Sequence, residues 1–100
     1  MGKLKLNITK ANISNGSQAN PGKCPIANSL KDSILNITQV SVLPNEASIR
    51  VKRGKKILCY KSKLSTKAYN FIRKFDDGRI VKPFSLTLDF VQQKKISDLV

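Results

Sequence analysis

Seven residues, Phe84-Ser85-Leu86-Thr87-Leu88-Asp89-Phe90, alternate apolar and polar without a break. Successive side chains of a strand point to opposite faces, so this run calls for a sheet with one face in a core and the other in water. Leu4, Leu6 and Ile8 alternate in the same way with Lys3, Lys5 and Asn7, which predicts a first strand over about 3–8. Val40 and Val42, then Ala47, Ile49 and Val51, repeat the period on either side of Pro44-Asn45 and predict a hairpin. Arg53-Gly54 is a second turn signal, leading into a third strand of the meander at Ile57 to Tyr60.

Two helical periods interrupt the strands. Ala68, Phe71, Ile72 and Phe75 stand at i, i+3, i+4 and i+7, an apolar stripe on one side of a helix. Ser65 is placed to cap that helix, Leu64 and Tyr69 are spaced for a hydrophobic staple, and Gly78 is the stop. Asp76-Asp77 at its C-terminal end opposes the helix dipole, so one of the pair is expected to make a specific contact with an arginine or a backbone N–H of the turn. Pro25 suits the first position of an earlier helix over about 25–35, with Ala27, Leu30 and Ile34 on one face. Before it, Thr9 caps a short helical turn through Ala11 and Ile13, with Gly16 expected as the left-handed stop, and residues 17–23 read as an exposed loop.

The order is β-α-β-β-β-α-β. It predicts an α+β fold, a small two-layer domain in which an antiparallel or mixed sheet of about five strands carries two helices on one face. With 100 residues, the chain is sized for one such domain over 1–90, followed by a polar tail over 91–100.

Composition narrows the function classes. Histidine is absent, which removes the usual general base and the commonest zinc nitrogen ligand; no catalytic residue, metal ligand or cofactor is assigned. No apolar run approaches the roughly 20 residues of a membrane span, and the alternating N-terminus lacks the apolar core of a secretory signal. A cytoplasmic chain without membrane contact, holding Cys24 and Cys59 as reduced thiols, is the expectation. Cys24 precedes a helix N-terminus and follows Lys23, both of which favour a thiolate, yet no histidine stands by to act as base. A structural cysteine at a helix cap is the preferred reading.

The formal net charge is +13, and the segment from Arg50 to Lys82 holds twelve Lys or Arg against Asp76 and Asp77. Arg50, Lys52, Arg53, Lys55 and Lys56, extended by Lys61, Lys63 and Lys67, can track a phosphate backbone if the hairpin and the helix start share a face. Tyr60 and Tyr69 lie within the cluster as candidates for stacking on bases. Lysine outnumbers arginine 15 to 4, whereas bidentate readout favours arginine, so charge alone leaves nucleic acid, an acidic protein and no partner all open.

Three stretches carry a resemblance: Cys24-Pro25-Ile26-Ala27, Phe71-Ile72-Arg73-Lys74-Phe75-Asp76-Asp77-Gly78 and Val81-Lys82-Pro83-Phe84-Ser85-Leu86. As a set they resemble a small uncharacterised protein family of bacteriophages and some bacteria, with the pattern Cys-Pro-x-Ala and then Phe-Ile-x-x-Phe-Asp-x-Gly-x-x-Val-x-Pro-Phe-x-Phe. Leu86 departs from its last aromatic. The resemblance spans most of residues 3–90 and brings no assigned activity. It implies a phage or prophage setting, and with it host takeover or inhibition of a host defence by binding a macromolecule. The leading expectation is therefore a non-enzymatic protein engaging nucleic acid or a nucleoprotein complex through its basic surface. The alternative is a protein–protein inhibitor of an acidic host factor, or a small homo-oligomer, without nucleic-acid contact.

Overall fold

A computed structural model describes residues 2–93. Its elements are β1 (Gly2–Ile8), α1 (Lys10–Ser14), α2 (Pro25–Ser33), β2 (Ile37–Leu43), β3 (Glu46–Arg53), β4 (Lys56–Lys63), α3 (Thr66–Asp76) and β5 (Phe84–Gln92). The strands form one sheet in the order β1-β5-β4-β3-β2, with every neighbouring pair antiparallel. The fold is the expected small α+β domain, with the Thr9-capped turn developed into a third helix. Residues 94–100 of the expected tail lie outside the described residues, while Val91 and Gln92 pair with Lys61 and Tyr60 as part of the sheet.

Each element forms for a local reason. Ser65 accepts the Ala68 N–H at 3.3 Å and starts α3, and Cys24 does the same for α2 through its sulfur, with Pro25 at the first helical position. Helix α2 is shorter than expected because Ile34 is already extended and Asn36 takes φ 61°, reversing the chain and leaving Leu35 exposed. The β3–β4 hairpin closes over Gly54 and Lys55, with Gly54 at φ 61° as a tight two-residue turn requires.

The alternation carries through to packing. Leu6, Ile8, Ala47, Ile49, Val51, Leu86, Leu88 and Phe90 are buried on one sheet face, against Ile26, Ala27 and Leu30 of α2 and Ala68, Phe71 and Ile72 of α3. Helix α2 reaches both edge strands, β1 and β2, so the helical layer spans the sheet's width. Leu4 and Phe84 of the expected core are half-buried at its margin.

Strand β5 serves two partners, β1 along Phe84–Phe90 and β4 at Val91-Gln92. Where β4 and β5 part, the buried Ser62 hydroxyl accepts the Asp89 N–H at 3.0 Å and donates to the Lys63 carbonyl at 3.0 Å, standing in for a strand carbonyl. Edge strand β2 is covered by the loop before α2, whose Pro21 carbonyl accepts the Val42 N–H at 2.9 Å.

Two local expectations are corrected. Gly16 is not left-handed: helix α1 ends through Asn15, whose φ is −89°, and Gly16 is there for space. A Cβ at Gly16 would lie 2.9 Å from both the Phe75 ring and Pro25. Asp76 does make a specific contact, but with a distant loop, its carboxylate accepting the Ala19 N–H at 2.9 Å. The loop is thereby fixed to the end of α3 at two adjacent points.

Candidate functional site

Because both packed helices lie on one side of the sheet, the other face is open. Strand parity assigns its side chains: a position paired across an antiparallel ladder shares a face with its partner. Arg50 stands between Gln39 and Cys59, Lys61 between Ser48 and Val91, Lys63 opposite Glu46, and Lys52 opposite Ile57. All four cations are exposed on this open face. Strand β1 adds Lys3 opposite Asp89 and Lys5 opposite Thr87, both exposed. Six cations therefore share the face with two carboxylates, Glu46 and Asp89.

Arg53, Lys55 and Lys56 sit at the β3–β4 hairpin tip, all exposed, but parity puts the paired Arg53 and Lys56 on the Val51 and Leu58 side of the hairpin, so they add charge at the end of the sheet and not on the open face. Lys67 does not join them. It lies on α3 in the helical layer, its ammonium 5.4 Å from the centre of the Phe84 ring. The chain leaves β4 through Leu64-Ser65 and folds back over the buried face, so the exposed side of α3 looks away from the outward residues of β4.

The stacking expectation also fails. Tyr60 is 6% exposed and points into the core opposite Ile49, and Tyr69 is on α3 with the Arg73 guanidinium 6.0 Å from its ring centre. Lys61 and Lys63 carried the missing signal: both must face water, which turns Tyr60 and Ser62 inward. The open face holds no aromatic side chain among the described residues; beside its cations stand amide, hydroxyl and thiol groups, the two carboxylates and the exposed aliphatic Leu43, Ile57 and Val91.

At its centre, small side chains make a shallow depression of about 160 Å³, lined by Gln39, Ser41, Ser48, Arg50, Cys59 and Lys61. Along β4, Lys61 and Lys63 are about 7 Å apart, two strand residues on. That spacing is close to the step between successive phosphates of a nucleic-acid strand.

Cys24 offers no competing site. Burial is the largest influence on its thiol and pushes it above its ordinary value; the backbone N–H groups of Ala27 and Ile26 act against this and the Asp76 carboxylate with it. The helix start and Lys23 had pointed the other way, and desolvation outweighs them. Both cysteines are free thiols, and among the described residues no group of three or more His, Cys, Asp or Glu side chains is arranged to hold a metal. No helix among the described residues is long and apolar enough to cross a membrane.

The fold and face together define a two-layer α+β domain with an open, cationic, non-aromatic sheet surface. No family model, curated protein or solved structure matches the chain.

Proposed function

We propose that the chain is a non-enzymatic binding protein that engages nucleic acid, alone or within a nucleoprotein complex, through the phosphate backbone. The supporting observation is the shared face of Arg50, Lys52, Lys61 and Lys63, with the further charge of Arg53, Lys55 and Lys56 at the nearby hairpin tip. Lysine predominates, suiting point-charge contacts to phosphate, and the lack of aromatic groups disfavours base stacking. Binding of this kind is salt-dependent and tolerant of sequence. In the phage setting that the resemblance implies, such a surface would hold host nucleic acid or a complex built on it.

The test is a titration of a duplex oligonucleotide of arbitrary sequence at several salt concentrations. Each phosphate contact contributes roughly −0.9 to the slope of log affinity against log salt. Replacing Arg50, Lys61 and Lys63 together by Gln should make the slope shallower by about 2–3, whereas replacing Lys67, Lys74 and Lys82 removes equal charge and should change it little. Equal losses from the two triple variants would mean that overall charge, not this face, is responsible. Affinity that hardly weakens from about 50 to about 200 mM salt would overturn the phosphate-led reading.

A further inference from the structure

On the helical side of the sheet, a cleft of about 470 Å³ opens between α3 and the segment that leads into β5. Its rim carries Lys67 and Lys74 from α3 and Lys82 from the facing segment, and its lining contains no acidic residue. Its floor is apolar: the Phe71 and Phe84 rings lie 4.5 Å apart, beside Val81 and Pro83. Ile80 stands on the lip at 94% exposure, the most exposed large apolar side chain among the described residues.

Cations around an apolar trough do not suit a bare phosphate backbone, which offers nothing to Phe84 or Ile80. A lipid surface is also a poor match, because the cleft is concave and a single prominent Ile contributes little insertion area. We infer that this cleft binds an acidic peptide segment of a partner protein, with bulky apolar side chains seated against Ile80, Val81 and the half-buried Phe84, and carboxylates that draw Lys67 off the Phe84 ring and pair with the rim lysines.

The geometry sets the spacing. Lys67 and Lys74 are seven residues apart on one side of α3, about 10 Å along the axis. Side chains of an extended peptide alternate, so residues two apart share a side about 7 Å from each other, and the flexible lysine stems take up the difference. The fitting segment therefore has Asp or Glu at i and i+2 facing α3, and large apolar residues at i+1 and i+3 facing Phe84, Val81 and Ile80, held in extended form. This second surface is separate from the open sheet face, so either can fail without the other.

The probe is a fluorescein-labelled peptide, Ser-Asp-Phe-Glu-Leu-Ser with blocked ends, followed by anisotropy against the full chain. Saturable binding on the order of 0.1 mM is expected. Lys67→Gln with Lys74→Gln should weaken it roughly tenfold, the effect of two exposed ion pairs. Ile80→Ser should weaken it severalfold, and the Asn/Gln version of the peptide should lose binding. The Arg50, Lys61 and Lys63 variant should bind the peptide like the parent. The substituted residues are exposed, and unchanged circular dichroism and melting would show that the variants remain folded. Absence of saturation up to about 1 mM, or equal loss from the sheet-face variant, would overturn the assignment. So would duplex DNA or anionic vesicles being captured through the rim lysines or Ile80 in place of the peptide.

Discussion

Gly16 separates two physical reasons for a turn glycine, and one substitution series decides between them. A methyl group at residue 16 would come 2.9 Å from Phe75 Cζ and 2.9 and 3.0 Å from two ring carbons of Pro25. Both neighbours are buried ring groups, Pro25 beneath 2% exposure and Phe75 at 9%, so neither can swing away freely. Overpacking of this kind costs about 1–3 kcal/mol. Because Gly16 is not left-handed, Ala returns about 0.4–1 kcal/mol by restricting the unfolded chain. The expected net loss for Gly16→Ala is about 1–2 kcal/mol, a fall in melting temperature of roughly 4–16 °C at this chain length.

Urea unfolding measures it, with the midpoint lowered and the slope unchanged. Gly16→Asn gives the sharper reading. If the backbone needed a left-handed residue, Asn would be tolerated better than Ala; if space is the constraint, the larger Asn must be worse. Shortening the opposing ring with Phe75→Leu should reduce the cost of Gly16→Ala in a double-mutant cycle. An Ala variant as stable as the parent, or an Asn variant more stable than the Ala one, would refute the packing argument.

Other positions give further checks. Ser62→Ala leaves the Asp89 N–H without its acceptor and should cost about 1–3 kcal/mol, with faster amide exchange at Asp89 under native conditions. Asn12 closes a capping box with Thr9 and donates to the Asp32 carboxylate at 2.9 Å while 5% exposed, so Asn12→Ala should cost about 2 kcal/mol in urea unfolding. Cys24 should react far more slowly than Cys59 with a disulfide reagent in the folded chain. Its thiol is raised in the folded state, so the unfolded chain releases the proton first: stability is unaffected below about pH 8.5 and falls as pH rises through the folded value, a loss that Cys24→Ser should remove.

The parts of the fold that are legible in the sequence are those where one local signal had no competitor. The Phe84–Phe90 alternation and the Ala68–Phe75 stripe each fix an element and its buried side, and β5 and α3 follow. The role of Gly16 is not legible locally, because glycine answers two needs, positive φ and close approach, and only the position of Phe75, 59 residues away, shows which applies. The Ala19–Asp76 bond was half legible for a related reason: the unfavourable helix position of Asp76 marks a compensating contact, but a carboxylate does not encode which N–H it will meet.

The same limit governs the surface. In β4 the run Ile57-Leu58-Cys59-Tyr60 hides its own phase, since four apolar residues fit either face, and the phase comes from the next three, Lys61-Ser62-Lys63. Counting back from the two lysines buries Tyr60, which removes stacking from the proposed interface and leaves phosphate contact. The separation of Lys67 from Lys61 and Lys63 follows from layer geometry: where helices cover one sheet face, the exposed side of a helix and the outward residues of the strand before it look in opposite directions. A chain with basic residues on both sides of such a turn therefore has two cationic surfaces, not one. Here the two differ in kind, non-aromatic and dispersed over the sheet face, apolar-floored and concave between α3 and β5. That difference predicts unequal responses to a single reagent: rising salt should strip nucleic acid from the sheet face steeply, while a peptide seated against Ile80 and Phe84 should retain its apolar contribution and weaken with a much shallower slope.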